Sequence, residues 1–188
     1  AVRRAAVVGQ DLTAVYGCGA IGLGVIAGCR ARGAEVVAID IDDTKLAIAK
    51  ALGAKHVINS DREGPEKAIA AITGGDGVNV AFEAVGLPET FLGCIAIAAP
   101  VGRVVYIGYA KTPVTYETKH FLVKELDVLG SRGAEQQDFE AVVRYMNAIP
   151  FPTEAVVTRT YDFDHAADAL ADWRDNPGNF TKIMVQVA

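Results

Sequence analysis

Gly17-Cys18-Gly19-Ala20-Ile21-Gly22 sets three glycines in the pattern G-x-G-x-x-G, between an apolar run and a stretch of small and apolar residues. Where such a pattern joins a strand to a helix, each glycine has a separate task. Gly17 permits the tight turn, Gly19 lets backbone approach a pyrophosphate, and Gly22 lets helix and strand pack closely. The unsatisfied N–H groups of the helix's first turn, with the positive end of its dipole, then face the phosphates. Asp40 stands 18 residues beyond Gly22, at the end of the next apolar run. A carboxylate there accepts hydrogen bonds from the adenosine ribose hydroxyls and repels a 2′-phosphate. Ile41, Asp42 and Asp43 follow it, with no arginine, which favours NAD over NADP. A glycine-rich turn without ligand and the glycine loop of SAM-dependent methyltransferases are the competing readings.

The elements that must position these residues follow from hydrophobic pattern. Strands are expected at 13–16, 35–40, 56–59, 78–83, 103–108 and 127–131, and helices near 21–32, 44–52, 65–72 and 89–98. Runs such as "VNVAF" and "RVVYIG" do not alternate with polar residues, so both faces should be covered. Strand–helix alternation with short glycine-bearing connections indicates right-handed βαβ units and a parallel sheet. The expected fold is a Rossmann-type doubly wound α/β sheet of six strands in the order 3-2-1-4-5-6. Its crevice lies at the carboxyl ends of strands one and four. That geometry nominates the residues after Tyr16, Asp40, Glu83 and Gly108. Past residue 131 the rhythm changes to a polar stretch, a helix at 139–148, a short strand near 155–160, a helix at 164–174 and a last strand "TKIMVQV". The expected division is a dinucleotide-binding domain at 1–132 and a C-terminal segment at 133–188.

Composition narrows the function classes. Of 188 residues 51% are hydrophobic and 22% charged, enough apolar material for a large core. A net charge of −5 argues against nucleic acid and anionic membranes as partners. No apolar run is long enough to span a bilayer. Cys18, Cys29 and Cys94 are odd in number and widely spaced, which fits buried thiols in a reducing, cytoplasmic compartment better than disulfides or a metal site. His56, His120 and His165 fall on different elements and suit surface or core roles.

The stretch "GCGAIGLGVIAGCRARGAEVVAIDIDDTKLAIAKALGAKHVIN" resembles the cofactor domain of zinc-type medium-chain alcohol and polyol dehydrogenases. "FEAVG" (82–86), "GRVVYIG" (102–108), "KELDVLGSRG" (124–133) and the closing "FDHAADAL…GNFTKIMVQV" fall in that family's order. The "ELDVLGS" and "FTKIMV" phrasing is closest to its polyol and sugar-acid branch. The resemblance implies NAD as cofactor and hydride transfer between NAD and a secondary alcohol or sugar alcohol. By position it implies that Gly17, Gly19, Ala20, Ile21 and Gly22 line the pyrophosphate and that Asp40 holds the adenosine ribose. Lys45 would reach the same ribose, or be a solvated lysine at a helix start. Ala84 and Val85 would pack on the nicotinamide side. Ile107, Gly108 and Tyr109 would present backbone groups to the carboxamide with Ser131 and Arg132 near by, and Lys182 would approach the pyrophosphate. Glu83, within the apolar "AFEAVG" run, is read as a structural hydrogen-bonding group for a nearby turn rather than a catalytic one.

In that family an N-terminal domain supplies zinc ligands and a proton relay, whereas residues 1–11 contain no Cys, His or Glu. The resemblance therefore implies a cofactor half that holds no catalytic residue, no zinc, and negligible activity alone. It also implies an edge strand at 113–117 through which copies pair as a homodimer or homotetramer. A stand-alone NAD(H)-binding sensor module is the alternative. A zinc-free quinone or enoyl reductase is a third reading, without the A-x-x-G-x-x-G loop and basic NADP residue usual there.

Overall fold

Six apolar runs become β1 (Leu12–Tyr16), β2 (Glu35–Asp40), β3 (His56–Asn59), β4 (Val78–Glu83), β5 (Ala98–Tyr106) and β6 (Asp127–Gly130). In a computed structural model, which describes residues 1–148 and 151–187, they form one parallel sheet ordered β3-β2-β1-β4-β5-β6. Ile149, Pro150 and Ala188 lie outside the described residues. The strand order matches the expectation and is that of a Rossmann fold. The helices α1 (Ala20–Ala31), α2 (Asp43–Ala51), α3 (Pro65–Thr73), α4 (Pro88–Ile97) and α5 (Lys119–Lys124) connect them.

The unbroken apolar strands are explained by burial on both faces. Val15, Val37, Val80, Phe82, Val104 and Val105 are fully buried, each such side chain contributing about 1.5–3 kcal/mol relative to exposure. Asp11, Thr13 and Glu83 are buried with the apolar residues, each with a hydrogen-bond partner for at least one side-chain oxygen. Thr13 donates to the Glu35 carbonyl at 3.0 Å. All three cysteines are free and buried, as expected of small core residues. His56 is half-buried with Nε2 3.1 Å from Glu35 Oε1, while His120 and His165 are exposed.

Two long-range ties were not legible in the pattern. Arg103 on β5 pairs with the buried Asp11 at 2.6 Å and donates to the carbonyls of Ala5 and Ala6, pinning the first eleven residues to the sheet. Lys124 spends its ammonium on the carbonyls of Ile95, Ala96 and Ala98, closing the C-terminus of α4. β5 stops at Tyr106 rather than 108 because the N–H groups of Ile107 and Gly108 both turn to the Glu83 carbonyl, at 2.9 and 3.0 Å. The stretch 113–117, expected as an edge strand, lies outside any strand and has no ladder partner among the described residues.

After β6 come α6 (Gln136–Ala148), α7 (Thr153–Val156), β7 (Val157–Asp162), α8 (Ala166–Asp175) and β8 (Lys182–Gln186). β7 and β8 pair in parallel across α8, so the tail contains a βαβ connection in a two-stranded sheet of its own. The chain divides into two compact units, Ala1–Ile149 and Pro150–Ala188, whereas the composition changes near Gly133. α6 belongs with the first unit, where Arg3 meets Glu135 and Asp138, each at 2.9 Å. No helix among the described residues is long and apolar enough to cross a membrane.

Candidate dinucleotide site

The turn from β1 into α1 separates the three glycines by what each would meet as a larger residue. Gly17 has φ +92°, and a Cβ there would stand 2.8 Å from Val85 Cγ2 and 3.0 Å from the Ala84 carbonyl oxygen. A Cβ on Gly22 would overlap the Gly17 carbonyl oxygen itself. Both positions are therefore glycine for the protein's own sterics. Gly19 is different: its φ of −73° is open to any residue, and nothing lies within 4 Å of a Cβ built there. The space above Gly19 is open, and a side chain there would occupy it.

Gly19 is also the N-cap of α1, with no side-chain capping bond and no acidic residue in the first turn. The N–H groups of that turn point out without an intramolecular acceptor. α2 shows the contrast, since the Asp42 carboxylate accepts from the N–H groups of Thr44 and Lys45. Ala20 is half-buried and Ile21 is 59% exposed on the same turn.

Asp40 ends β2 half-buried beside this turn. Its Oδ2 accepts from the Cys18 N–H at 2.6 Å and its Oδ1 from the Asp42 N–H at 3.0 Å. The carboxylate thus holds the glycine turn in place and keeps a lone pair on each oxygen for a further donor. Burial, then the Asp40 charge, pushes the Cys18 thiol up to about 12, and the half-buried Lys45 opposes them. Lys45 is thereby placed within electrostatic reach of the turn. Asn59 braces the loop after Asp40 by donating to the Ile41 carbonyl at 3.1 Å and to Asp43 Oδ1 at 2.6 Å. That bond, with Arg62 behind it, holds the Asp43 carboxyl below its ordinary value.

The loops after β4 and β5 close against the first turn. Gly17 abuts Ala84 and Val85, and a Cβ on Gly86 would lie 2.9 Å from the Tyr109 carbonyl oxygen. A Cβ on Gly108 would overlap Glu83 Oε2 and crowd the Gly86 N–H. The expected residues Ala84, Val85, Ile107, Gly108 and Tyr109 therefore sit together at the carboxyl ends of the central strands. Glu83 behaves as the structural group expected, its Oε1 accepting from Val85 N–H, Gly86 N–H and the Thr90 hydroxyl at 2.7–2.9 Å.

Ser131 continues the same edge, its N–H donating to the Tyr106 carbonyl at 2.9 Å. Arg132 is exposed and lines a depression of about 340 Å³ with Arg3, Arg4, Glu135 and Asp138. Lys182 is exposed at the start of β8, in the second unit. Residues missed in the sequence are Asn59, Thr90 and the exposed apolar pair Ile41 and Leu87, which stand at strand ends with Val85 and Tyr109. Ile41 and Leu87 are apolar residues on short loops just past strand ends, which is the signal that could have found them, whereas Asn59 and Thr90 sit inside β3 and α4 and carry none.

Strand order, uncapped helix and glycine turn define the class as a Rossmann-type α/β domain. The family model described as zinc-binding dehydrogenase matches residues 20–148. D-xylulose reductase of Scheffersomyces stipitis is 38% identical over 170 residues, covering 85% of this chain and 46% of that protein. Erythritol/L-threitol dehydrogenase of Mycolicibacterium smegmatis is 31% identical over 181 residues, covering 94% and 50%. The crystal structure of 2R,3R-butanediol dehydrogenase from Bacillus subtilis superposes with a TM-score of 0.90 at 28% identity, over all of this chain and 54% of that one. The chain belongs to the zinc-binding dehydrogenase family and spans about half the length of the curated relatives it matches.

Among the described residues no three His, Cys, Asp or Glu side chains gather as a metal-ligand set. This chain's described residues therefore do not fit the zinc of the family. The nicotinamide dinucleotide does fit, because the open space at Gly19 and the uncapped N–H groups of α1 leave room and donors for a pyrophosphate.

Proposed function

We propose that this chain is the NAD(H)-binding part of a zinc-dependent alcohol or polyol dehydrogenase. The observation that carries it is Gly19, a glycine that the protein's own packing does not require, set at an uncapped helix N-terminus beside Asp40. In this reading the N–H groups of Ala20, Ile21 and Gly22 bind the pyrophosphate, with Gly17 shaping the turn. Asp40 and Lys45 hold the adenosine ribose, Asp40 through the lone pairs left by Cys18 and Asp42. Ala84, Val85, Ile107, Gly108 and Tyr109 line the nicotinamide end, with Ser131 and Arg132 beside it.

When bound, the dinucleotide would supply hydride exchange with the carbinol carbon of a secondary alcohol or sugar alcohol. The chain's own residues orient the ring and exclude water from one face, and none of them moves a proton. Zinc and the proton relay come from outside these residues, so the chain alone turns over no alcohol. The protein works in the cytoplasm with its three thiols reduced, and copies pair as a homodimer or homotetramer. The relatives, all named as dehydrogenases or reductases, give the stand-alone sensor no support.

Calorimetric titration tests the reading. NADH should bind, NADPH should bind about tenfold more weakly or worse, and Asp40→Ser should narrow that gap. Absence of NADH binding, or a preference for NADPH, overturns it.

A further inference from the structure

The carboxyl end of β4 holds a side chain that the proposed mechanism leaves without a task of its own. Glu83 is fully buried. Its Oε1 collects the N–H groups of Val85 and Gly86 and the Thr90 hydroxyl, at 2.9, 2.8 and 2.7 Å. Its main-chain carbonyl collects the N–H groups of Ile107 and Gly108, at 2.9 and 3.0 Å. One residue thus carries both loops that flank the nicotinamide end of the site. Its second oxygen, Oε2, is buried with no hydrogen-bond partner among the described residues and lies where a Gly108 Cβ would be.

A buried carboxylate oxygen without a donor is costly. Three short bonds to Oε1 offset that cost only in the geometry observed, because two N–H groups and one hydroxyl must all point at one atom. The consequence is a fixed separation: Oε1 draws in the 84–86 turn, Oε2 sets how near Gly108 can come, and the Gly86–Tyr109 contact closes the pair. A shorter side chain would let the two loops drift, and a neutral apolar one would leave two N–H groups unpaired.

We propose that Glu83 is the positioning residue for the nicotinamide half of the cofactor. It touches no part of the dinucleotide; it sets the spacing of the backbone at 84–86 and 107–109, between which the ring is received. The proposal rests on the NAD(H) reading above. It separates from that reading because Glu83 makes no hydrogen bond to Gly19 or Asp40, where the pyrophosphate and adenosine contacts lie.

The test compares NADH with ADP-ribose, which lacks the nicotinamide, by calorimetry on the wild-type protein and on Glu83→Leu, Glu83→Gln and Thr90→Val. Glu83→Leu should weaken NADH by about tenfold or more while ADP-ribose stays within about twofold of wild type. Glu83→Gln, which keeps an acceptor for the same donors, should restore most of the NADH affinity. Should Glu83→Leu fail to fold, Thr90→Val decides, with an expected loss of about threefold for NADH alone. Equal losses for both ligands, or no loss for either, overturn the proposal and leave Glu83 a purely structural group. A wild type that binds ADP-ribose as tightly as NADH also overturns it, while leaving the dinucleotide reading intact. A wild type that binds neither ligand overturns both.

Discussion

Replacing Gly19 by alanine adds one methyl group at a place where nothing stands within 4 Å, on a backbone whose φ of −73° any residue adopts. The fold should scarcely register it. Alanine is the poorer N-cap by up to about 1 kcal/mol, and the narrower unfolded ensemble returns about 0.4–1 kcal/mol. The melting temperature should then stay within about 2 °C of wild type. Gly22→Ala is the control on the same turn, because its methyl would overlap the Gly17 carbonyl oxygen. Backbone cannot step aside as a flexible side chain can, so that variant should lose about 3 kcal/mol, which is about 6–12 °C for a chain of this size. Ligand binding should order the two effects differently. A phosphate oxygen held at about 2.9 Å from a backbone N–H leaves no room for a methyl beside it. Losing one such charged hydrogen bond costs about 1.5–3 kcal/mol, so Gly19→Ala should weaken NADH by at least about tenfold. Differential scanning calorimetry and NADH titration on the two variants give the answer. If Gly19→Ala binds NADH as wild type does, or melts as early as Gly22→Ala, the separation of a ligand-required glycine from a fold-required one is wrong.

Two further outcomes follow from ties outside the site. Arg103→Met strands the Asp11 carboxylate, 8% exposed, without its 2.6 Å partner, and should cost about 2–3 kcal/mol, the low end for a broken buried pair because Arg103 is itself 22% exposed. Urea unfolding in a double-mutant cycle with Asp11→Asn reads it, and strict additivity would show that the pair contributes nothing as a pair. The Asp138 carboxyl is held down to about 2, chiefly by its hydrogen bonds with the Arg3 guanidinium, against an ordinary 3.8. A lowered folded value means stabilisation that is complete above pH about 4 and disappears as pH falls towards 2. The gap in melting temperature between wild type and Asp138→Asn should therefore be open at pH 5 and close on acidification; a gap that widens instead refutes the sign.

The strands and the glycine turn could be read in advance because both depend on near neighbours. A run such as "VNVAF" declares its burial in its own composition, and three glycines and an aspartate keep fixed offsets wherever the fold recurs. What escaped was held by partners far apart in sequence. Arg103 and Asp11 are 92 residues apart, and neither type nor spacing marks them as a pair. Asn59 looked like the last residue of a strand, yet its amide sets the loop of the neighbouring strand because β3 lies against β2. The tail's parallel pairing of β7 and β8 escaped for another reason: a single βαβ connection has no repeat against which to recognise its rhythm. Glu83 was legible in role but not in reach, since its two donors within three residues are local and its carbonyl bonds to Ile107 and Gly108 are not.

Cys18 lies between Gly17, which shapes the turn, and Gly19, which leaves it open, yet its thiol is buried and pushed up to about 12. Burial therefore keeps the thiol in its unreactive, protonated form at neutral pH. An alkylating reagent consequently meets Cys18 only while the turn is open, and its rate of labelling counts openings rather than exposure. The chain has thereby built a clock into its most important loop, one that a bound dinucleotide would slow and that needs no engineered probe to be read.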